Sequence, residues 1–485
     1  MRNRQLAGIV VALTLAVGAR PAAAQTSVPC NASPNSALGL AIANAGPGAV
    51  LAITGICQQS VQIGAAQASG VTITNETGNP GADLIASDGI QGQFTILGPV
   101  MVFLNGIKLE GTVTDTGLTS TLLVQAGASA LITNSEIVDG QRIGLSLDRN
   151  AAATVLNTLI ANNGIANVAG QGDGIRVASG SSLTLGAQND DGSVSTGFVV
   201  EVSDNKGNGI SAHAGSTVTV YGGAIADNGA DEILLTGTSG LHLFGAQVTQ
   251  SQPSSIAGGG AIQALRGANL LLAQGTSVTA GSSGGAVQAA GAAAVMMMGS
   301  TVSNATTAAP ALQATGSASV ILSGGNSITN SAPGGTAVEV SHGSSLMQQR
   351  NAGILPHMAG APVTATQTPD TVTGTGTVAE QSTIELGVGI LGGMPSLAWN
   401  GTLAASQNSS VRLSGSTAIT GTLQFAQESN GFFNKTNGGT NVVGSVVCVW
   451  GGAPSVHIAA PANISPAPVL AASIAAATPN QCLPF

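Results

Sequence analysis

The strongest constraint on what this chain can fold into is a repeat. Five segments, GIRVASGSSLTL (174–185), GISAHAGSTVTV (209–220), AIQALRGANLLL (261–272), AVQAAGAAAVMM (286–297) and ALQATGSASVIL (311–322), share one template. It reads apolar, variable, small or apolar, a Gly-centred bend, then apolar, variable, apolar. With the first variable position as anchor, the repeat falls at Arg176, Ser211, Leu234, Gln263, Gln288, Gln313 and Glu339. Through Gln313 an apolar pair follows seven and nine residues later: Leu183/Leu185, Val218/Val220, Leu241/Leu243, Leu270/Leu272, Val295/Met297 and Val320/Leu322. Leu123 and Ser146 extend the series backwards more loosely. After Glu339 the second member becomes Gln348, so the regular region is expected to end there. A third apolar position recurs at Ile137, Ile160, Ile225, Val248, Val278, Val302 and Ile328, several times trailed by Asn (Asn228, Asn304, Asn330).

Anchor spacings between 123 and 339 run from 23 to 35 residues. A helical repeat fails on local physics, because the alternation has period two and the segments are short and rich in Val and Thr. Short strands at this period bury their apolar face only by stacking coil on coil. The expected fold is all-β: a right-handed parallel β-helix, a single-domain solenoid with about three short strands per coil and capped ends.

Composition narrows the function classes. Only 7% of residues are charged and 2% aromatic, against 69 glycines. Neither a coiled coil nor a charge-driven disordered chain has that balance. The formal net charge of −9 argues against a nucleic-acid partner. Beyond the N-terminus no apolar run is long enough to span a membrane as a helix. Arg2 and Arg4, the apolar stretch Leu6 to Val17 and Ala22-Ala23-Ala24 read as a signal peptide over 1–24, which implies export: secreted, periplasmic or at the cell surface. The remaining divisions are an N-terminal cap with first coils (25–115), regular coils (116–348), and C-terminal coils with a cap (349–485). Four cysteines sit near the two ends, and local closure pairs Cys30 with Cys57 and Cys448 with Cys482.

Through the repeat quoted above, the chain resembles the right-handed parallel β-helix proteins of the pectate-lyase-like (pectin lyase-like) superfamily. That resemblance implies a polysaccharide lyase or related carbohydrate-active enzyme as one function, using clustered Asp to hold calcium and an Arg or Lys as base. Fifteen of the 33 charged residues lie between Glu136 and Glu232, while Arg266 alone is charged between 233 and 338. Two insertions stand out in the charged part: Ile160 to Ile175, and Leu185 to Val202. Function usually sits on such grafted loops. The candidate catalytic residues are therefore Asp173, Arg176, Asp190, Asp191, Asp204 and Lys206, with calcium as cofactor only under this lyase reading. Against it, Asn189-Asp190-Asp191-Gly192 is ordinary turn composition, and no three carboxylates are expected at one coil position. His213 and His242 read as surface residues, and no metal site is expected.

The competing reading, preferred on the sequence, is a non-catalytic exported rod: an adhesin-like or envelope-associated binding or structural protein, with a polysaccharide or a cell-envelope component as partner. The oligomeric state is not determined by the sequence. Two register expectations follow. Gln263, Gln288 and Gln313 should stack outward while Ile262, Val287 and Leu312 point inward. Eight residues after successive anchors, Thr184, Thr219 and His242 give way to Leu271, Met296, Ile321 and Met347, an outward apolar stripe. It is either covered by the Pro- and Thr-rich segment 350–380, the preferred reading, or is an interaction surface.

Overall fold

The computed structural model describes residues 25–64, 70–75, 89–111, 120–164, 172–251, 259–281, 284–305, 308–349, 369–388, 397–413, 417–433, 441–448, 455–458 and 464–465. The signal-peptide expectation for 1–24 lies outside these residues.

One coil shows how the sequence builds the rest. Ile262–Leu265 forms the first strand, Asn269–Ala273 the second and Ser277–Ala280 the third. The next coil then begins at Val287–Ala290, which pairs in parallel with Ile262–Leu265, Ile262 opposite Val287. Along each strand apolar residues alternate inward, as a period of two requires. The second strands form one continuous 17-stranded parallel column, and the first and third strands form two further columns. The two are joined at Thr417–Phe425, a nine-residue strand that pairs with one of each. This is an all-β parallel β-solenoid, consistent with a right-handed parallel β-helix and with the hand that parallel crossovers adopt.

The anchor register holds at every step: Leu123, Ser146, Arg176, Ser211, Leu234, Gln263, Gln288, Gln313 and Glu339 are consecutive partners. Gln263 Nε2 donates to Gln288 Oε1 (3.1 Å) and Gln313 Nε2 to Glu339 Oε1 (3.2 Å). Ile262, Val287 and Leu312 are fully buried.

Coils continue past 348, and the pairing register slips between Thr336 and Val338 and between Met347 and Gln349. Glu339 pairs onward with Thr377, and Thr377 with Ala404. Gln348 breaks the apolar pattern because it points inward as a polar residue and is satisfied there: its amide donates to Asp370 Oδ2 (2.9 Å), while Asp370 Oδ1 accepts from the backbone N–H and side-chain amide of Asn326.

The bend between first and second strands is made by conformation more than by glycine. Two consecutive residues with positive φ turn the chain in coil after coil: Ser179-Gly180, Ala214-Gly215, Arg266-Gly267 and Gly316-Ser317 among them. The same pair is Arg149-Asn150, Glu380-Gln381, Gln407-Asn408 and Gln427-Glu428 elsewhere, with no glycine. A buried serine often follows, for example Ser216, Ser239, Ser409 and Ser429, each donating to a carbonyl of the preceding coil.

At the N-terminal end the helix Ala37–Asn44 lays Leu38 and Ile42 against the core. Cys30 and Cys57 form a disulfide beside it. Cys448 ends the strand Asn441–Cys448, and its expected partner Cys482 lies outside the described residues. Among the described residues no helix is long and apolar enough to cross a membrane.

Candidate functional site

The charged coils concentrate their polar chemistry at one corner, where the third strand turns into the next first strand. Two hydrogen-bond ladders run through it in opposite senses. In one, Asn163 donates its backbone N–H (3.0 Å) and side-chain amide (2.9 Å) to Asn205 Oδ1. Asn205 does the same to Asn228 Oδ1 (3.1 and 2.9 Å). Asn228 in turn donates to the Glu232 carboxyl through both groups.

In the other ladder the acceptors lie on the preceding coil. Asp173 Oδ1 accepts from the N–H and side-chain amide of Asn208, both at 2.9 Å, and Asp173 Oδ2 from Ser211 Oγ (2.6 Å). Asn208 Oδ1 accepts from Asp231 N–H (3.2 Å), and Asp231 Oδ1 from Gly260 N–H (2.8 Å). Each link satisfies a backbone donor that the tight corner removes from the strand ladders.

The three acids here are buried. Burial pushes the Asp231 carboxyl up to about 7, with the Asp173 charge adding to the rise and the Gly260 hydrogen bond opposing it. Burial likewise pushes Glu232 up to about 8, against the Asn228 hydrogen bonds and with the Asp227 charge adding. The ion pairs among the described residues involve other acids: Lys108–Glu110, Arg149–Asp148 and His342–Glu380.

Four of the six sequence candidates sit at or beside this corner and two do not. Asp173 is built into the second ladder. Arg176 is exposed on the outer face of the first column, between Ser146 and Ser211. Asp204 and Lys206 are exposed on the corner itself. Asp190 and Asp191 lie at a different corner, between second and third strands, on a hairpin closed by the Gln188–Val194 bridge. There Asp191 Oδ1 accepts from the N–H and Oγ of Ser193, bonds that hold its carboxyl below the usual range. Gln274 Nε2 reaches over to Gly192 O (3.2 Å), and Val194 lies over Gly222 and Gly245. This insertion is thereby pinned along the coils that carry Tyr221 and Phe244, whose rings stack at 5.2 Å.

One sequence expectation is overturned. Three carboxylates do recur at one coil position: Asp139, Asp204 and Asp227 each lie two residues after the inward residue of a third strand, Ile137, Val202 and Ile225, and each has positive φ. Asn162 occupies that place in the coil between Asp139 and Asp204. The sequence register contained this column, but the comparison required following the third strand across the insertion. Asp139 and Asp204 are thus two coil steps apart, roughly 10 Å. Among the described residues no three His, Cys, Asp or Glu side chains converge as metal ligands.

The histidines are less superficial than expected, because each packs into a corner or onto a ring. His213 is half-buried with Nδ1 at 2.7 Å from Thr236 Oγ1, and burial, then the Arg176 charge, lower its pKa. His242 is half-buried edge-on to Phe244, and burial lowers its pKa too.

Leu271, Met296, Ile321 and Met347 are consecutive partners on the outer face of the second column, half-buried and in line with Thr184, Thr219 and His242. The expected cover does not form from the end of the 350–380 segment. Residues Asp370–Thr373 and Thr375–Val378 are wall strands of the third and first columns, because Val372 and Val378 serve as inward core residues. Residues 350–368 lie outside the described residues.

Fold and corner together define a class, the parallel β-solenoids with internal polar ladders. No protein-family model matches the sequence, and no curated protein or solved structure matches it.

Proposed function

We propose that the protein is an exported, non-catalytic β-solenoid rod of the pectate-lyase-like type, acting through its long faces as a binding or structural component of the cell envelope. One observation carries the reading: the best-placed candidate carboxylate, Asp173, has both oxygens committed to Asn208 and Ser211 within the fold. A carboxylate that caps backbone donors of the next coil is a structural acid, and ionised side chains that do catalytic work need a reacting atom within hydrogen-bond reach. The apolar stripe Leu271–Met296–Ile321–Met347 is the surface this reading offers to a partner, a polysaccharide or another envelope component.

A polysaccharide lyase with calcium is the second reading. Asp173, Arg176 and His213 favour it, since both of the other charges act on His213 at one corner. Incubating the purified mature protein with acidic and neutral polysaccharides, with and without calcium, separates the two. The rod reading expects no chain cleavage and no new unsaturated ends. Cleavage that is lost in Arg176→Ala would replace it with the lyase.

A further inference from the structure

We propose that the corner built by Asn205, Asn208, Asn228, Asp173, Asp231 and Glu232 is a proton-held clasp, closed while the buried carboxyls of Asp231 and Glu232 carry protons and loosened when they ionise. The geometry points to it because Asp231 and Glu232 are almost fully buried and the ion pairs among the described residues include neither. Both ladders depend on side-chain oxygens: Asn228 N–H and amide rest on Glu232, Gly260 N–H rests on Asp231, and Asn208 N–H and amide rest on Asp173. Asp231 and Glu232 are adjacent in sequence, both are buried, and Asp173 is close enough for its charge to act on Asp231.

The charged groups around the clasp do not neutralise it. Asp227 faces Glu232 from the preceding turn and Asp173 faces Asp231 from the stretch before Ile175–Val177. Arg176 and His213 act on each other on the outer face, where Arg176 is exposed. Asp204 and Lys206 are exposed on the turn. Successive ionisation therefore places like charges together in a desolvated corner, the arrangement that disfavours the charged forms.

The sign follows from linkage. Both acids have folded values above their unfolded ones, so the folded corner binds more protons than the opened one. Its stability is fully present below about pH 4 and falls as pH rises through about 7 for Asp231 and about 8 for Glu232.

Hydrogen exchange of the full protein at pH 5.5 and 8.5, expressed as protection factors, tests the clasp. Amides in 203–233 should lose protection at least roughly 30-fold at the higher pH, the share of Asp231 alone for a folded value of about 7. Those in 286–298, a stretch with no acid, should change less than threefold. The double variant Asp231→Asn with Glu232→Gln keeps the side-chain shapes and should remove the loss. Each single variant should remove part of it, which keeps the test decisive if the double variant does not fold. Protection in 203–233 that is independent of pH in the wild type, or an undiminished loss in the variants, overturns the proposal.

Discussion

Asn205 shows what one residue contributes at this corner. Its carbonyl oxygen accepts two donors from Asn163 while its amide donates to Asn228 Oδ1 and to Ile160 O (3.2 Å), so every polar atom of a fully buried side chain is used. Replacing it with Ala leaves the Asn163 N–H without its acceptor in a dry corner, while the Asn163 amide keeps Ile137 O and Ala161 O. An Asn205→Ala variant should lose about 1–3 kcal/mol, read from denaturant unfolding, the cost of one orphaned buried group. A loss under about 0.5 kcal/mol, the range of ordinary surface changes, would show that the ladder is not formed in solution. Sequence alone hinted at this feature through the Asn trailing the third strand. It could not sort the cases, because Asn228 sits three residues past its inward apolar residue and joins the ladder, whereas Asn304 and Asn330 sit two past theirs and both donate to Ala309 O instead. One residue of offset decides which way the side chain faces, and composition carries no information about offset.

Strands were the most legible part of the chain, because their two faces answer to different physics. Outward positions tolerate Arg176, Ser211, Leu234 and the Gln series in one column, whereas the inward neighbours in that column, such as Ile175, Ile210, Ile233, Ile262 and Val287, are apolar and buried. Cutting Ile262 or Leu312 to Ala should cost roughly 2–5 kcal/mol, while Gln263→Leu and Gln313→Leu should stay within about 1 kcal/mol in thermal melts, the worth of the side-chain hydrogen bond removed. Equal losses on both faces would mean the alternation is misassigned. A coil position need not stay apolar. Gln348 is inward and polar, and it works because its amide donates to Asp370, whose other oxygen accepts from Asn326. A pattern reader sees such a satisfied polar residue as an end of the regular pattern, since its partner lies 22 residues away in sequence. The bends behave similarly: Glu380-Gln381 and Gln427-Glu428 take the left-handed conformation without glycine, so a glycine rule undercounts them.

At the scale of the molecule, stability comes from neighbour-on-neighbour stacking, because each coil touches chiefly the coils before and after it. The helix Ala37–Asn44 and the Cys30–Cys57 disulfide close the first coils, where an open end would expose core and unpaired strand groups. The apolar stripe and the acidic column Asp139, Asp204 and Asp227 are properties of this stacking and of no single coil, since each arises only when separated residues fall into register. The central claim is therefore the register itself, and a cysteine pair tests it most directly. Gln288 and Gln313 are partners on adjacent first strands, about 4.8 Å apart and within the Cα range of a disulfide. Thr315 lies two residues further along, about 8 Å from Gln288 by strand geometry and beyond that range. Under mild oxidation, Gln288→Cys with Gln313→Cys should cross-link in high yield by peptide mass mapping, and Gln288→Cys with Thr315→Cys should not. Cross-linking of the second pair in preference to the first would contradict the register and the fold built on it.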